Sequence, residues 1–271
     1  MLNILVSIKQ VPDTTNIRIN PDTGTLIREG VPSIINPYDI VALSLAYQLK
    51  LRFKAKVTVI TMGPPQAKNA LKEAVEFGAD RIILLCDRKF AGADTLATSY
   101  TLAEAIRFLQ REELFDLFLF GKQAIDGDTA QVGPGVANRL GIPVITYVVK
   151  IENLDPIHRK IVVHRKTEKG IEVLEAPFPI LLTCEKDLSP LPFVPLENIL
   201  KAQRAEPETF NAEGPLSFQR DKLGLKGSPT QVKKVYTPEL KRIGKIYNLD
   251  DVSLDDVVSK ILDVLRERDL L

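Results

Sequence analysis

The sequence has few of the residues on which several classes of protein depend. Its 271 residues include no tryptophan, 6% aromatic residues, two cysteines and two histidines. The formal net charge is only +1 at pH 7, and acidic and basic residues are interspersed. A nucleic-acid-binding protein usually has a basic surface with aromatic side chains on which bases stack. The sequence therefore predicts that nucleic acid is not a partner.

The cysteines and histidines form no recognisable redox or metal-binding motif. Cys86 and Cys184 each stand near the end of a predicted buried strand, where a thiol packs as a small apolar group. His158 and His164 lie in or beside one predicted strand without carboxylate or thiol partners, so we predict no metal site. No set of nucleophile, base and orienting residue is visible. We therefore expect no catalytic side chains, and a bound cofactor would have to supply any chemistry.

Long apolar runs are missing as well. None approaches the length that spans a bilayer, and the first residues, MLNILVSIKQVPD, lack the features of a secretory signal. We therefore expect a cytoplasmic protein without direct membrane insertion. Hydrophobic residues make up 45% of the chain, which is ample for a large core.

The most informative stretch is residues 116–141, where a predicted buried strand leads into a loop of small and polar residues. The strand ends at Gly121, and Asp128 or Thr129 is predicted to cap a helix that ends at Gly141. In open α/β sheets, ligands bind beyond the carboxyl ends of strands, where helix N-termini favour phosphate. We interpret the loop as a binding site on these grounds. Its polar side chains are Lys122, Gln123, Asp126, Asp128, Thr129 and Gln131.

A loop of this kind can also join a strand to a helix without binding anything. The segment has neither the Walker spacing nor the G-x-G-x-x-G pattern of nucleotide-binding loops. The residues by themselves leave both interpretations open.

The order of the predicted elements indicates the fold class. Strands alternate with helices as far as residue 141, which is typical of an α/β protein with a doubly wound, mostly parallel sheet. Asn36 is predicted to cap the first helix, with Pro37 at its first position. Residues 10–35 form a long excursion with a small hairpin near Thr23 and Gly24. After Pro143, strands follow one another without helices, which predicts an antiparallel extension of the same sheet. These strands are residues 144–151, 160–165, 171–174 and 180–183, with a turn near Lys169 and Gly170.

Two regions are predicted. Residues 1–203 form an α/β domain that contains the candidate binding loop, and residues 204–271 form an extended C-terminal arm that ends in an amphipathic helix. The arm has apolar side chains without the periodicity of a core of its own. We therefore expect it to contribute little to the core and to clasp a partner subunit.

Motifs distributed along the chain resemble the β subunit of the electron-transfer flavoproteins. The longest is GKQAIDGDTAQVGPGVANRLGIP, at residues 121–143. The others, in chain order, are KQVPDT, NPYDIVAL, MGPPQA, EFGADR, LPFVPLENILKA and LGLKGSPTQVKKVYTP. The resemblance implies one half of a heterodimer, in which the α subunit holds FAD and the β subunit supplies an adenine-nucleotide site and an arm.

The same resemblance implies which residues bind the nucleotide. They lie at the ends of predicted strands and at the start of the first helix: Ser7, Asn36, Pro37, Tyr38, Asp39, Met62, Gly121, Lys122, Gln123, Ala124, Ile125, Asp126, Gly127, Asp128, Thr129, Ala130, Gln131 and Val132. Leu196 matches the position at which the family anchors a dehydrogenase. The preceding residues 189–193 depart from the family pattern, which puts an identical set of partners in doubt.

The family holds either AMP or a second FAD in the β site. The stretch TGTLIREGVPSIINPYD resembles the bifurcating branch, so FAD is the predicted cofactor and AMP the alternative. In that branch two electrons from NADH leave one flavin singly, one to a low-potential, ferredoxin-type acceptor and one through the α-subunit FAD. The implied partners are the α subunit and a dehydrogenase or quinone oxidoreductase. A different class of function, a stand-alone adenine-nucleotide-binding regulator, would need neither the arm nor the proline-rich loop.

Overall fold

The computed structural model describes residues 1–13, 18–19, 26–27, 32–216, 218–231, 246–248 and 250–271. Its contacts divide the chain into two compact units, Met1–Lys233 and Lys234–Leu271. The strands are β1 (Asn3–Ser7), β2 (Gln10–Pro12), β3 (Arg18–Ile19), β4 (Leu26–Ile27), β5 (Ser33–Ile35), β6 (Lys56–Met62), β7 (Arg81–Leu85), β8 (Leu117–Gly121), β9 (Val144–Asp155), β10 (Lys160–Thr167), β11 (Gly170–Pro177), β12 (Ile180–Cys184) and β13 (Glu208–Phe210). The helices are α1 (Pro37–Phe53), α2 (Lys68–Glu76), α3 (Thr95–Leu109), α4 (Val132–Leu140), α5 (Leu196–Arg204) and α6 (Leu254–Glu267).

Nine of these strands form one sheet, in the order β11-β10-β9-β12-β8-β1-β6-β7-β13. All neighbours from β9 to β13 in this order are parallel, whereas β10 pairs antiparallel with both β9 and β11. The predicted α/β class with a mostly parallel sheet and an antiparallel extension is confirmed.

The central strands are covered on both faces, as their nearly continuous apolar sequences predict. Alternate residues of β1 show this: Ile4 and Val6 pack with α1 and α2 in one apolar cluster. Leu5 packs in a second cluster with α3 and α4. The chain leaves β1 towards β6 and β7 and then returns to β8 on the other side of β1. The strand order therefore reverses between β1 and β8.

The excursion after β1 contains two short antiparallel pairs. One pairs β2 with β5, and the other pairs β3 with β4, as expected for a small hairpin. The turn expected at Thr23 and Gly24 lies outside the described residues. The predicted turn at Lys169 and Gly170 is confirmed, because Thr167 pairs with Gly170 across the β10–β11 hairpin.

Two expectations about strand arrangement and packing are wrong. The strand at residues 180–183 was expected in the antiparallel extension, but β12 is parallel to both β8 and β9. Residues 204–233 were expected to contribute little to the core, but β13 extends the sheet beyond β7. Leu216 and Leu223 are buried in the same cluster as α3. These two side chains are therefore buried on the sheet unit itself, whereas Leu225 is exposed.

In the second unit, α6 is an amphipathic helix capped by Ser253, whose hydroxyl accepts from the Asp256 N–H. Its apolar side chains are exposed, among them Leu254, Val258 and Ile261. The role of this unit as a clasp on a partner stays a prediction. Of the helices described, none combines the length and the apolar character that a membrane span requires.

Candidate functional site

A cleft of about 1480 Å³ opens at the carboxyl edge of the sheet. Ser7 at the end of β1, Met62 at the end of β6 and Phe120 in β8 contribute to its floor. The cleft thus lies where the strand order reverses between β1 and β8, which is the position at which open α/β sheets bind ligands.

Asp39 fixes three parts of the cleft to one another. This side chain in the first turn of α1 is 6% exposed. One carboxylate oxygen accepts the Lys9 N–H at 2.7 Å, and the other accepts the Gly121 N–H at 3.1 Å. Burial raises the pKa of Asp39 to about 7, although the hydrogen bonds to its carboxylate act in the opposite direction. Asp39 therefore joins the ends of β1 and β8 to the start of α1.

Gly121 is the residue that makes this arrangement possible. A Cβ built on Gly121 would overlap the Oδ1 of Asp39 and crowd the Tyr38 Cβ. The absence of a side chain lets the backbone of β8 approach the start of α1 closely enough to donate to Asp39. Sequence reasoning placed Gly121 in the site but gave no partner for it.

The sequence predicted that the Asn36 side chain caps α1, but this side chain makes no capping hydrogen bond. It lies 1% exposed, and its amide donates to the Gln123 carbonyl at 2.8 Å. Its carbonyl accepts the Ile125 N–H at 3.1 Å. Asn36 therefore pairs with the backbone of the loop after β8, which would otherwise hold buried polar groups without partners.

The loop after β8 contains strained backbone. Asp128 and Ala130 have φ values of 50° and 54°, in the left-handed region that non-glycine residues rarely adopt. Asp128 does not cap α4, contrary to the prediction, and neither does Thr129; the residue before the helix is Gln131. Asp128 instead accepts from the Gln123 amide at 2.6 Å. Such strain is a recurring feature of functional sites.

The helix α4 begins at the cleft without a side-chain cap, since Gln131 makes no such bond. The Gln131 side chain instead accepts from the Thr95 hydroxyl at 2.8 Å, which joins the starts of α4 and α3. The first turn of α4 therefore offers backbone N–H groups, and the positive end of the helix dipole, to a ligand in the cleft. Val132 and Gly133 of this turn line the cleft.

Two lysines beside the loop have carboxylate partners. The Lys9 ammonium lies 2.6 Å from an Asp126 carboxylate oxygen, in a partly exposed pair. The Lys122 ammonium lies 2.9 Å from a Glu185 carboxylate oxygen, which raises the pKa of Lys122. The rings of Tyr38 and Tyr147 lie 5.8 and 5.2 Å from the same ammonium. These contacts hold both lysines against the cleft.

The structure brings most of the predicted site residues together. Those that line the cleft are Ser7, Asn36, Asp39, Met62, Gly121, Lys122, Gln123, Ala124, Gly127, Asp128, Thr129, Ala130, Gln131 and Val132. Pro37, Tyr38, Ile125 and Asp126 lie in the same segments, but their side chains are not part of the lining. Pro37 begins α1, Ile125 contributes its N–H to Asn36, and Asp126 pairs with Lys9.

Sequence reasoning missed one whole wall of the cleft. This wall is the loop between β7 and α3, with Asp87, Arg88 and Asp94, and the first turn of α3. Pro229 and Thr230 of the presumed arm complete it. The position of the loop after a parallel strand, ahead of a capped helix, was the signal that could have identified it.

Asp94 is the N-cap of α3. Its Oδ1 accepts the N–H groups of Leu96 at 2.9 Å and Ala97 at 3.1 Å. Partial burial raises the pKa of this carboxyl, but hydrogen bonds from Ala97, Thr230 and Leu96 outweigh that effect and lower it. The N–H groups at this end of α3 are therefore already satisfied by protein, unlike those of α4.

The expectation that the histidines lack carboxylate partners is wrong. His158 Nδ1 lies 2.7 Å from an Asp155 oxygen, and His164 Nε2 lies 2.5 Å from a Glu152 oxygen. Each histidine thus has one carboxylate partner. Glu152 and His164 lie on β9 and β10, whereas Asp155 ends β9 and His158 lies in the turn that follows it. Within the described residues, no group of three metal-ligating side chains comes together.

Leu196, the predicted partner-binding residue, begins α5 well away in sequence from the residues of the cleft. Its side chain is 70% exposed. Leu191, Phe193 and Leu200 are also exposed, so the segment 191–200 presents an apolar surface.

Comparison with known proteins agrees with this geometry. The electron transfer flavoprotein domain matches residues 23–215. An electron transfer flavoprotein subunit beta of Clostridium acetobutylicum is 49% identical over 98% of each chain. Protein FixA of Azorhizobium caulinodans is 48% identical over 89% of this chain and 86% of its own. The caffeyl-CoA reductase-Etf complex subunit CarD of Acetobacterium woodii is 43% identical over the full length of both. With a domain match over most of its length and such similarity to beta subunits, this chain belongs to the electron transfer flavoprotein family, as a subunit of the beta type.

Proposed function

We propose that the cleft holds FAD and that the subunit takes part in flavin-based electron bifurcation from NADH, in a heterodimer with an FAD-bearing α subunit. The observation that carries this proposal is the cleft of about 1480 Å³ at the reversal point between β1 and β8. A pocket for a drug-sized molecule typically measures about 300–1,000 Å³. The cleft thus has room for a dinucleotide, whereas a mononucleotide would fill only part of it.

The chemistry of the lining fits FAD. The uncapped start of α4 suits a phosphate group, because Val132 and Gly133 of its first turn line the cleft. Arg88 also lines the cleft, and it makes no ion pair with the residues that the structure describes. Met62, Phe120 and Leu102 supply apolar surface of the kind on which adenine and flavin rings pack.

FAD would supply the redox chemistry, since it accepts two electrons together and can release them one at a time. The residues of this chain bind and orient it. Asp39 and Asn36 keep the loop after β8 fixed to α1, so that the lining is formed before the cofactor arrives. The apolar part of the wall excludes water from the ring system.

The relatives support the choice of partners. The Acetobacterium woodii protein is named as a subunit of a caffeyl-CoA reductase-Etf complex, so a subunit similar to this chain works with a reductase. We propose that this chain likewise joins an α subunit, a dehydrogenase or quinone oxidoreductase and a ferredoxin-type acceptor. Leu196 and the apolar surface at residues 191–200 are the proposed contact with the dehydrogenase.

A cofactor count on the native heterodimer tests the proposal. The complex is purified with its α subunit, denatured in acid, and the released nucleotides are quantified by liquid chromatography. We expect two FAD per heterodimer. One FAD and one AMP would reject FAD in this cleft and bifurcation with it, and would support the alternative of a non-bifurcating flavoprotein with AMP.

The stand-alone regulator, which would bind an adenine nucleotide without redox chemistry, has less support. A regulator has no use for the exposed apolar surface at residues 191–200 or for the exposed apolar side chains of α6. It would purify without an α subunit and without flavin.

A further inference from the structure

Residues 228–230, which the sequence assigned to an arm for the partner, form part of the cleft. Pro229 and Thr230 line it together with the loop after β8. They belong to the sheet unit, Met1–Lys233. The lining of the cleft therefore includes a segment that is remote in sequence from every other residue of the lining.

Hydrogen bonds from Asp94 hold this segment in place. The Oδ2 of Asp94 accepts the Thr230 N–H at 3.1 Å and the Thr230 hydroxyl at 2.8 Å. The Asp94 N–H donates to the Ser228 Oγ at 2.8 Å, and the Ser228 hydroxyl donates to the Gly224 carbonyl at 2.7 Å. Both backbone and side chain of Asp94 thus contact residues 228–230.

The preceding residues fit closely against the loop between β7 and α3. The Leu225 N–H donates to the Ala91 carbonyl at 3.0 Å. Gly224 has a φ of 52°, and a Cβ there would overlap the carbonyl oxygens of Lys89 and Ala91. Only glycine allows this approach, so residues 224–230 are held on the loop by a close backbone contact as well as by the hydrogen bonds of Asp94.

The two oxygens of Asp94 have separate partners. Oδ1 caps α3, whose first turn lines the cleft, whereas Oδ2 binds Thr230. One carboxylate therefore fixes the position of a cleft helix relative to the segment that faces the same ligand.

We propose that Asp94 is a positioning residue that holds residues 228–230 as a wall of the nucleotide site, so that nucleotide binding and the seating of residues 224–230 stabilise each other. This inference rests on the proposed function, since it assumes that a nucleotide occupies the cleft. Such coupling is reciprocal: if the seated segment strengthens binding by some factor, the nucleotide strengthens the seating by the same factor.

Asp94→Asn separates the two roles of this side chain. Asparagine caps helices as well as aspartate does, so its carbonyl oxygen retains the bonds to Leu96 and Ala97. Its amide nitrogen cannot accept from Thr230. Thr230→Val removes the hydroxyl from the other side at nearly constant volume. Thr209→Val is the matched control. Thr209 lies on β13, and its hydroxyl bonds only the carbonyl of Pro207 just before that strand among the described residues.

The test uses the heterodimer with its α subunit, stripped of nucleotide at the β site and titrated calorimetrically with AMP and with FAD. We expect Asp94→Asn and Thr230→Val each to weaken binding by about fivefold, and the double variant to be no weaker than the weaker single variant. Thr209→Val binds as the unmodified complex does. Equal affinity in the unmodified complex and all four variants would overturn the inference and leave the proposed function intact.

A second measurement distinguishes coupling to the nucleotide from a purely structural role of Asp94, because the nucleotide would not change the result if the role were only structural. Trypsin cleavage after Lys226 is followed with and without saturating AMP or FAD. Nucleotide should slow cleavage of the unmodified complex at least threefold and have little effect in Asp94→Asn. A cleavage rate that nucleotide leaves unchanged in the unmodified complex rejects the coupling. If the unmodified complex binds neither AMP nor FAD, the proposed function fails and this inference fails with it.

Discussion

Gly121 occupies a position with no room for a side chain, and this constraint can be tested directly. In Gly121→Ala the new methyl group displaces the Asp39 carboxylate, which then loses the Gly121 N–H. We expect the free energy of unfolding to fall by about 1–3 kcal/mol, the usual cost of a buried polar group left unpaired. The measurement is urea denaturation of the nucleotide-free subunit.

Gly127→Ala is the control for that substitution, because no described atom lies within 4 Å of a Cβ built there. Its stability should stay within about 0.5 kcal/mol of the unmodified subunit. If both variants lose stability equally, the contact between Gly121 and Asp39 is not the cause.

Asp39 makes stability depend on pH in a direction opposite to that of most carboxylates. Its pKa is about 7 in the folded chain and has the ordinary value of 3.8 in the unfolded chain. Between those values the folded state binds more protons than the unfolded state, so the free energy of unfolding falls as pH rises from about 4 to 7. Each unit of pKa difference corresponds to about 1.4 kcal/mol, which sets an upper limit of about 4 kcal/mol on the loss.

Denaturation curves at pH 5 and pH 7.5 measure this dependence. Asp39→Asn does not titrate and should lose the pH-dependent part, although it is less stable throughout because its amide nitrogen cannot accept an N–H. A slope that persists unchanged in Asp39→Asn would assign the effect to another group.

At the scale of elements, α5 carries the residue expected to bind a dehydrogenase. Leu196→Ala removes an exposed apolar side chain, so the fold and the cleft should be unaffected. Binding of the heterodimer to its dehydrogenase should weaken by tenfold or more if Leu196 is an anchor, since buried anchors contribute about 2 kcal/mol or more to an interface. Surface plasmon resonance with the isolated dehydrogenase gives the affinity.

Ile157→Ala serves as the control for Leu196→Ala. Ile157 is 86% exposed and lies in the turn between β9 and β10. Its replacement should leave the affinity unchanged. Equal losses in the two variants would mean that the surface at residues 191–200 is not the specific contact.

Most elements could be predicted because their signals are local. The apolar run of β8, the Asp94 cap and the glycine at the end of α4 each lie within a few residues of the element they define. The direction of β12 could not be predicted, because it depends on which strand lies beside it. The role of Asn36 was missed for the same reason: its partners Gln123 and Ile125 lie far along the chain.

The candidate site was predictable to the extent that its segments resembled a known pattern. The residues of the loop after β8 indicated a binding site but also allowed a simple connection. The resemblance favoured the binding site and added Ser7, Met62 and the start of α1. The wall formed by the loop after β7 and by residues 229–230 was not identified. It arises because β13 pairs with β7 and brings the following residues back over the sheet, a contact between positions more than 100 residues apart.

At the scale of the whole molecule, two truncations separate two roles. Residues 203–231 are expected to stabilise the sheet unit, whereas the residues after Gln231, which include α6, are expected to bind a partner. A chain ending at Ala202 lacks β13 and the buried Leu216 and Leu223. It should be less stable by about 3 kcal/mol or more, since each buried leucine contributes about 1.5–3 kcal/mol. A chain ending at Gln231 retains these groups and should unfold at the same urea concentration as the full subunit.

The same two chains test the predicted clasp. Both lack α6, whose apolar side chains are exposed, so neither should co-purify stoichiometrically with the α subunit. If the chain ending at Gln231 retains the α subunit, α6 is not the clasp.

The position of β12 also limits the order in which the sheet can be assembled. β12 lies between β8 and β9, yet it follows β9, β10 and β11 along the chain. Strands β9, β10 and β11 can pair with one another locally as a meander. They can join the parallel sheet only after β12 has paired with β8, because β9 contacts the sheet through β12. Pairing between distant segments is slow compared with the closure of hairpins. We therefore expect the attachment of the meander to the sheet to wait for the pairing of β12, a strand of five residues.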